Sequence, residues 1–416
     1  GTTFISTKVL LRSFTPIEIL FFRFIMGLIV LFLIYPYRLK VTDKKQEWIF
    51  AGAGLSGITL YYLFENIALV YAPASNVGVI TATAPFFTAL LACRFLAGEA
   101  LQKKFINLRF GTFIHFNSAT FQFHNNPDII DWEYDHENGD LPRQFPFDEK
   151  DFNPTAPDYC KQWAKIAKSA GCQFAALTSK HHEGFDLWPS DYTDHCVKNA
   201  TNKTDVVAAY LDAFRSEGIV AGLYFSVLDL TAQTGHRSCT TAQKEKIFGQ
   251  VTELLTNYGE IPFLIVDGWN APWGGPSYEM LPFEELDRLV KSLQPDCMLM
   301  NIGCQDGLSG TDVVFYENAA GQEVDHSFNG PGISCNKLTK TWFWRDEDPT
   351  TPVTNAEWAL SKMKDYFPQN VNFMLNLSPS TTGLVDENLA QEFARIGKTF
   401  QMPAPLDELP AGWLKR

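Results

Sequence analysis

A chain of 416 residues with 34 Lys+Arg against 47 Asp+Glu carries −13 at neutral pH, and it is well beyond the roughly 150 residues of one average domain. The mean hides a division: residues 1–105 hold 10 basic and 5 acidic side chains, whereas residues 106–416 hold 24 and 42, a net of −18. That balance argues against a nucleic-acid partner, because phosphate binding concentrates Lys and Arg on one face. All eight histidines also fall in the larger part, so chemistry is expected there.

Taken in chain order, residues 17–35 (IEILFFRFIMGLIVLFLIY) are apolar apart from Glu18 and Arg23, and about 20 such residues cross a bilayer's hydrocarbon core. Two further runs, 48–71 and 77–97, are rich in small residues that let membrane helices approach closely. The pattern predicts an all-α transmembrane segment of about three spans over residues 1–105, contacting membrane lipid through residues 17–97. Arg23, Glu65 and Arg94 lie within or beside these runs, where charge is costly and faces a bundle interior or water. The segments FFRF, ENIALVYAPASNVGVITATAPFFTALL and LAGE resemble part of the drug/metabolite transporter superfamily (EamA-like). Arg38, Lys40, Lys44 and Lys45, with Lys103 and Lys104, would sit inside the cell, which places the following part in the cytoplasm. A gene-fusion or assembly artefact is the alternative account of the junction.

From Phe110 short apolar runs alternate with amphipathic segments, as in a parallel sheet with crossover helices. Strands are expected at 110–116, 174–180, 220–226, 263–269, 298–303, 312–318 and 372–378, with an eighth at 340–345 (KTWFWR). Helical patterns fall near 157–169, 204–216, 243–257, 282–293, 354–366 and 386–399. The fold class expected is α/β, a (β/α)8-like barrel over residues 106–416.

Barrel enzymes carry their chemistry where strands end at the C-terminal face. The polar residues closing these runs are His115, Lys180-His181-His182, Tyr224, Asp267, Glu317 and Asn376. Asp267, ending FLIVDGW, is either a nucleophile or a structural cap. Adjacent His181 and His182 lack the spacing of a metal site, and imidazoles offer a donor and an acceptor to sugar hydroxyls. Trp132, Trp188, Trp269, Trp273, Trp342 and Trp344 are many large rings; of these Trp269, Trp342 and Trp344 sit at expected strand ends.

FGTFIHF, DFNPTAPDYCKQWAKIAKSAG, TSKHHEGFDLWPS, GLYFS, the VDGW strand end and NFMLNLSPSTTG together resemble glycoside hydrolase family 29, the α-L-fucosidases, over residues 109–399. The resemblance implies a retaining exo-hydrolase of terminal α-L-fucosyl linkages acting on a fucosylated glycan, with neither cofactor nor metal. It implies Asp267 as nucleophile, His115, His181, His182 and Tyr224 as fucose-binding residues, and Trp269 shaping the pocket; Trp342, at an expected strand end, is a further candidate for substrate binding. Glu317 is the choice for acid/base, with Glu323 and Asp325 behind it. Two positions depart from the family: Phe116 stands where a Trp is usual, and Asp131-Trp132-Glu133 replaces a Glu-Trp-Tyr block. The competing reading is a transporter-like membrane protein with a non-catalytic, carbohydrate-binding barrel. Oligomeric state is not legible.

Overall fold

The computed structural model describes residues 2–35, 44–125, 147–231, 238–271, 274–304, 307–318 and 321–414. The described chain divides between Ala97 and Gly98 into two compact units, ahead of the 105/106 boundary expected from composition.

The first unit holds helices α1 (Thr2–Leu10), α2 (Pro16–Ile34), α3 (Lys44–Gly54), α4 (Tyr61–Tyr71), α5 (Ala74–Thr81) and the start of α6 (Ala84–Ile106), with a π-helical stretch, Leu55–Leu60, joining α3 to α4. A capping box of Thr15 and Glu18, with proline in the first turn, opens α2. By length and composition, two helical stretches among the described residues suffice to cross a membrane, Pro16–Ile34 and Phe50–Tyr71. The third expected run is interrupted, since α5 ends at Thr81 and α6 starts at Ala84. Pro85 explains the break, because proline lacks the N–H a continuing helix needs and is accommodated in a first turn. Arg23 Nη2 donates to Thr7 Oγ1 at 2.8 Å, and Glu65 is buried. Arg38 and Lys40, and the side chains of Lys44, Lys45 and Arg94, lie outside the described residues.

The second unit is an eight-stranded parallel near-barrel. Its strands are β1 (Phe110–Ile114), β2 (Phe174–Lys180), β3 (Val220–Ser226), β4 (Phe263–Asp267), β5 (Met298–Asn301), β6 (Val314–Glu317), β7 (Gly332–Asn336) and β8 (Val371–Leu377). They pair in the order β5-β4-β3-β2-β1-β8-β7-β6, and a lone parallel bridge, Ile302↔Phe315, joins β5 to β6. Helices α7 (Ser118–Asn125), α8 (Tyr159–Ala170), α9 (Val206–Ser216), α10 (Thr241–Asn257), α11 (Phe283–Leu293), α12 (Ala356–Tyr366) and α13 (Glu387–Thr399) complete it. Asp205 caps α9 through Ala208 N at 2.9 Å, and Thr240 with Gln243 forms a capping box on α10.

The eighth strand is Gly332–Asn336 rather than 340–345. GISCN is short and carries Gly, Ser and Asn, so it lacks an apolar signature, yet it is buried between β6 and β8. The aromatic run at 340–345 is irregular backbone beyond it, apolar because Trp342 and Phe343 join the barrel's interior cluster.

Successive strand residues point to opposite faces, and the two apolar clusters follow that rule. Phe113, Phe174, Ala176, Tyr224, Phe263, Ile265, Phe315, Ile333, Cys335 and Met374 fill the interior. Ile114, Ala175, Leu177, Leu223, Leu264 and Val266 face the surrounding helices. The floor, at the N-terminal strand ends, is stopped by the last turn of α6. Phe105 lies 5.1 Å from Phe174 and 5.4 Å from Phe263, centroid to centroid, and Asn372 Nδ2 donates to its carbonyl at 2.8 Å. Gly111 and Gly222 leave room for those phenylalanines, whose rings a Cβ at either position would strike.

Candidate active site

The same two-residue period carries polar side chains to the opposite end of the interior. Counting from Ile265 reaches Asp267, from Phe315 reaches Glu317, and from Phe113 reaches His115, all at C-terminal strand ends. On β2 the count would bring Lys180 inward, but the register shifts between Thr178 and Lys180. The shift turns Lys180 outward onto the Phe225 ring, 4.3 Å from its centroid, and lets His181 and His182 enter the cavity.

A cavity of about 460 Å³ opens there, lined among others by His115, His181, His182, Tyr224, Asp267, Trp269, Glu317 and Trp342. All eight expected site residues therefore share one pocket. Glu323 and Asp325 are exposed instead, Asp325 being taken up by Ser327. Trp344 donates to Asp386 at 2.7 Å and Trp188 to Glu253 at 2.8 Å, so neither ring is among the lining side chains. Phe116 faces outward, packed on Phe121, Phe152 and Trp163. Trp132, Trp273 and the segment Asp131–Glu133 lie outside the described residues.

Each imidazole has its Nδ1 engaged by a protein oxygen. His115 Nδ1 meets Asn376 Oδ1 at 2.6 Å; Asn376 Nδ2 donates to Trp342 O at 2.7 Å, which fixes the amide's orientation. His182 Nδ1 meets Ser226 Oγ at 2.7 Å, and that hydroxyl spends its proton on Leu228 O at 2.8 Å. His181 Nδ1 meets Glu183 Oε2 at 3.0 Å. Burial, then the charge of His181, holds His115 and His182 well below the usual imidazole range. Both are neutral at pH 7, carry their one proton on Nδ1, and present Nε2 as an acceptor suited to hydroxyl groups.

The two carboxyl groups stand in different surroundings. Asp267 Oδ2 accepts from Tyr224 OH at 2.8 Å and Oδ1 from Gly268 N at 2.6 Å, while His182 Nε2 lies 3.6 Å from Oδ2. Burial raises its pKa, and the Tyr224 hydroxyl, the His181 charge and the Gly268 N–H act against the rise. Glu317 is pushed up to about 8 by burial first and the Asp267 charge second, with Lys337 and a hydrogen bond from Trp342 opposing. At neutral pH the pair thus splits into a carboxylate held by two donors and a protonated acid.

Around them Trp342 stacks on His115 at 4.9 Å and 25°, and Tyr224 on His181 at 5.6 Å and 19°. Trp269 stacks on Tyr278 at 5.5 Å and 13° and donates to Leu281 O at 2.9 Å. Phe113, Tyr278, Gln322 and Cys335 also line the cavity and were not expected there; for Phe113 the strand period was the available signal, whereas Cys335 lies on β7, whose sequence carries no strand pattern.

A family model for alpha-L-fucosidase matches residues 93–403. The chain belongs to the alpha-L-fucosidase family. A second model, of the EamA-like transporter family, matches residues 1–114. Similar proteins include Alpha-L-fucosidase 1 of Arabidopsis thaliana, 31% identical over 275 residues, 59% of this chain and 52% of that one. The tissue alpha-L-fucosidase of Homo sapiens is 24% identical over 253 residues, 57% and 52% of the two chains. The chain spans about half the length of these curated relatives. Among solved structures, alpha-L-fucosidase isoenzyme 1 from Paenibacillus thiaminolyticus shares the fold at a TM-score of 0.60 and 24% identity, covering 73% of this chain and 75% of that one. A Bacteroides thetaiotaomicron alpha-L-fucosidase of glycoside hydrolase family 29, trapped as a covalent intermediate in complex with 2-fluoro-fucosyl fluoride, superposes at 0.56 with 20% identity, covering 71% and 73%.

Proposed function

We propose that the second unit is a retaining exo-α-L-fucosidase that removes terminal fucose from fucosylated glycans by double displacement. The observation that carries this reading is the pair Asp267 and Glu317 in one cavity, the first held by two donors and the second kept protonated up to about 8. Family membership supports the sugar, and the trapped intermediate of the Bacteroides relative supports the covalent route.

In the first step an Asp267 oxygen attacks the anomeric carbon. The bond to the aglycone oxygen breaks, and that oxygen takes the Glu317 proton. In the second step Glu317, now a carboxylate, takes a proton from water as the water oxygen attacks the same carbon and releases Asp267, so configuration is retained. Nε2 of His115 and of His182 accept from fucose hydroxyls, His181 binds beside them, and Trp269 and Trp342 give the sugar's apolar faces flat walls. Tyr224 keeps Asp267 ionised and aimed.

Hydrolysis of 4-nitrophenyl α-L-fucoside by the full chain, compared with Asp267→Ala, tests the assignment. Turnover that disappears in the variant is the expected result; fucose binding without turnover at any pH would leave a carbohydrate-binding barrel. For the first unit we propose membrane association through 16–34 and 50–71. Protease protection in sealed vesicles reads that placement directly.

A further inference from the structure

We infer that Lys337 is a positioning residue for the acid/base Glu317, bracing Trp342 beside it and supplying a positive charge on that side of the cavity. The inference rests on the reading of Glu317 given above.

On β7, Ile333 and Cys335 face the barrel interior, and two residues further the chain reaches Lys337, half-buried just past the strand's end at Asn336. Its Nζ lies 5.3 Å from the centroid of the Trp342 ring, within range of a cation–π attraction. That ring is the one stacked on His115, and its indole N–H is the donor to the Glu317 carboxyl. The Trp342 carbonyl is tied separately, through Asn376, to the same histidine. Lys337 therefore touches the ring that both orients the acid/base and walls the sugar site.

The ammonium also acts through its field. The groups bearing on Glu317 are Asp267 from β4, Cys335 and Lys337 from β7 and its continuation, and Trp342 from the following loop; His115, after β1, senses Lys337 too. Burial and the Asp267 charge strengthen the proton's hold on Glu317, and Lys337 weakens it. One residue must give its proton to the leaving oxygen and later take one from water, which works best when its pKa lies near the working pH. Without the cation, Glu317 would be a weaker acid toward the leaving oxygen and would stay protonated over more of the working pH range, where the second step needs a carboxylate.

The test is the pH profile of kcat/KM and kcat for 4-nitrophenyl α-L-fucoside, using the full chain and its Lys337→Met, Lys337→Gln and Lys337→Arg variants, with thermal melts alongside. The expected result is an alkaline limb about one pH unit higher in the Met and Gln variants, a larger loss in kcat than in kcat/KM below that limb, and a limb restored by Arg. Lys337→Gln keeps a polar side chain and carries the test should Lys337→Met fold poorly. A limb that stays in place in a folded Met or Gln variant overturns the inference, as does a loss of activity that Arg does not restore. Glu317→Gln separates the two levels: if it abolishes the alkaline limb while the Lys337 variants leave theirs unmoved, only this inference fails. If it keeps full activity and the limb, the acid/base reading itself fails.

Discussion

Tyr224→Phe isolates one hydrogen bond at Asp267, the proposed nucleophile. The Tyr224 hydroxyl donates to Asp267 Oδ2 at 2.8 Å, and a phenylalanine keeps the ring that stacks on His181 and packs 5.4 Å from Phe113. A hydrogen bond to a charged group contributes about 1.5–3 kcal/mol, and one pH unit corresponds to about 1.36 kcal/mol. The hydroxyl lowers the pKa of Asp267, so its removal raises that pKa, and ionisation is lost at a higher pH than in the parent. The acid limb of kcat/KM for 4-nitrophenyl α-L-fucoside should move up by about one to two pH units. Activity on the acid side falls roughly ten- to a hundredfold, and the deficit shrinks as pH rises past the displaced limb. The melting temperature should change little, because the ring remains. A loss uniform across pH with the limb unmoved would refute the claim that Tyr224 keeps Asp267 ionised.

Other perturbations test the frame around the site. Glu317 has its pKa raised in the fold, from 4.5 to about 8, so the folded state is favoured below the lower value and penalised as pH climbs through the higher one. Glu317→Gln should melt like the parent near pH 4 and above it near pH 9, with a ceiling of roughly 5 kcal/mol; curves that stay parallel across that window would contradict the assignment. Phe105→Ala removes the stopper of the barrel floor and should cost about 3–5 kcal/mol, read by denaturant unfolding of the barrel; a cost below about 1 kcal/mol would mean that the last turn of α6 is dispensable. Asp229, 1% exposed, accepts from Lys246 Nζ at 3.0 Å and lies 3.6 Å from Lys180 Nζ. Asp229→Asn leaves both lysines short of a counter-charge and should lower stability by about 3–5 kcal/mol, with a fall in melting temperature on the order of 10 °C.

Much of the barrel was legible because strand-forming runs and capping residues signal locally. Asp267, His115 and Glu317 were found as polar residues closing apolar runs, and the period of two that fills the interior with Phe113, Ile265 and Phe315 is what brings all three inward. Three features escaped for physical reasons. β7 is buried between two neighbours, so its burial does not depend on an apolar pattern of its own. The outward turn of Lys180 comes from a register shift, which hydrophobic periodicity does not encode. The last turn of α6 reads as the end of a membrane-like run, yet Phe105 and Ile106 are buried with the barrel's interior residues, because the contacts that recruit them come from strands far along the chain. Glu183, Ser226 and Asn376, which engage the three imidazoles, become legible as partners only once the strands are placed side by side.

The most direct measurement of the central claim is trapping. The full chain is incubated with 2-fluoro-fucosyl fluoride, digested, and the modified peptide is sequenced by mass spectrometry. Double displacement through Asp267 predicts one fluorofucosyl adduct, carried on that residue. A label on another carboxylate, or rapid turnover of the fluoride with inversion and no adduct, would contradict it.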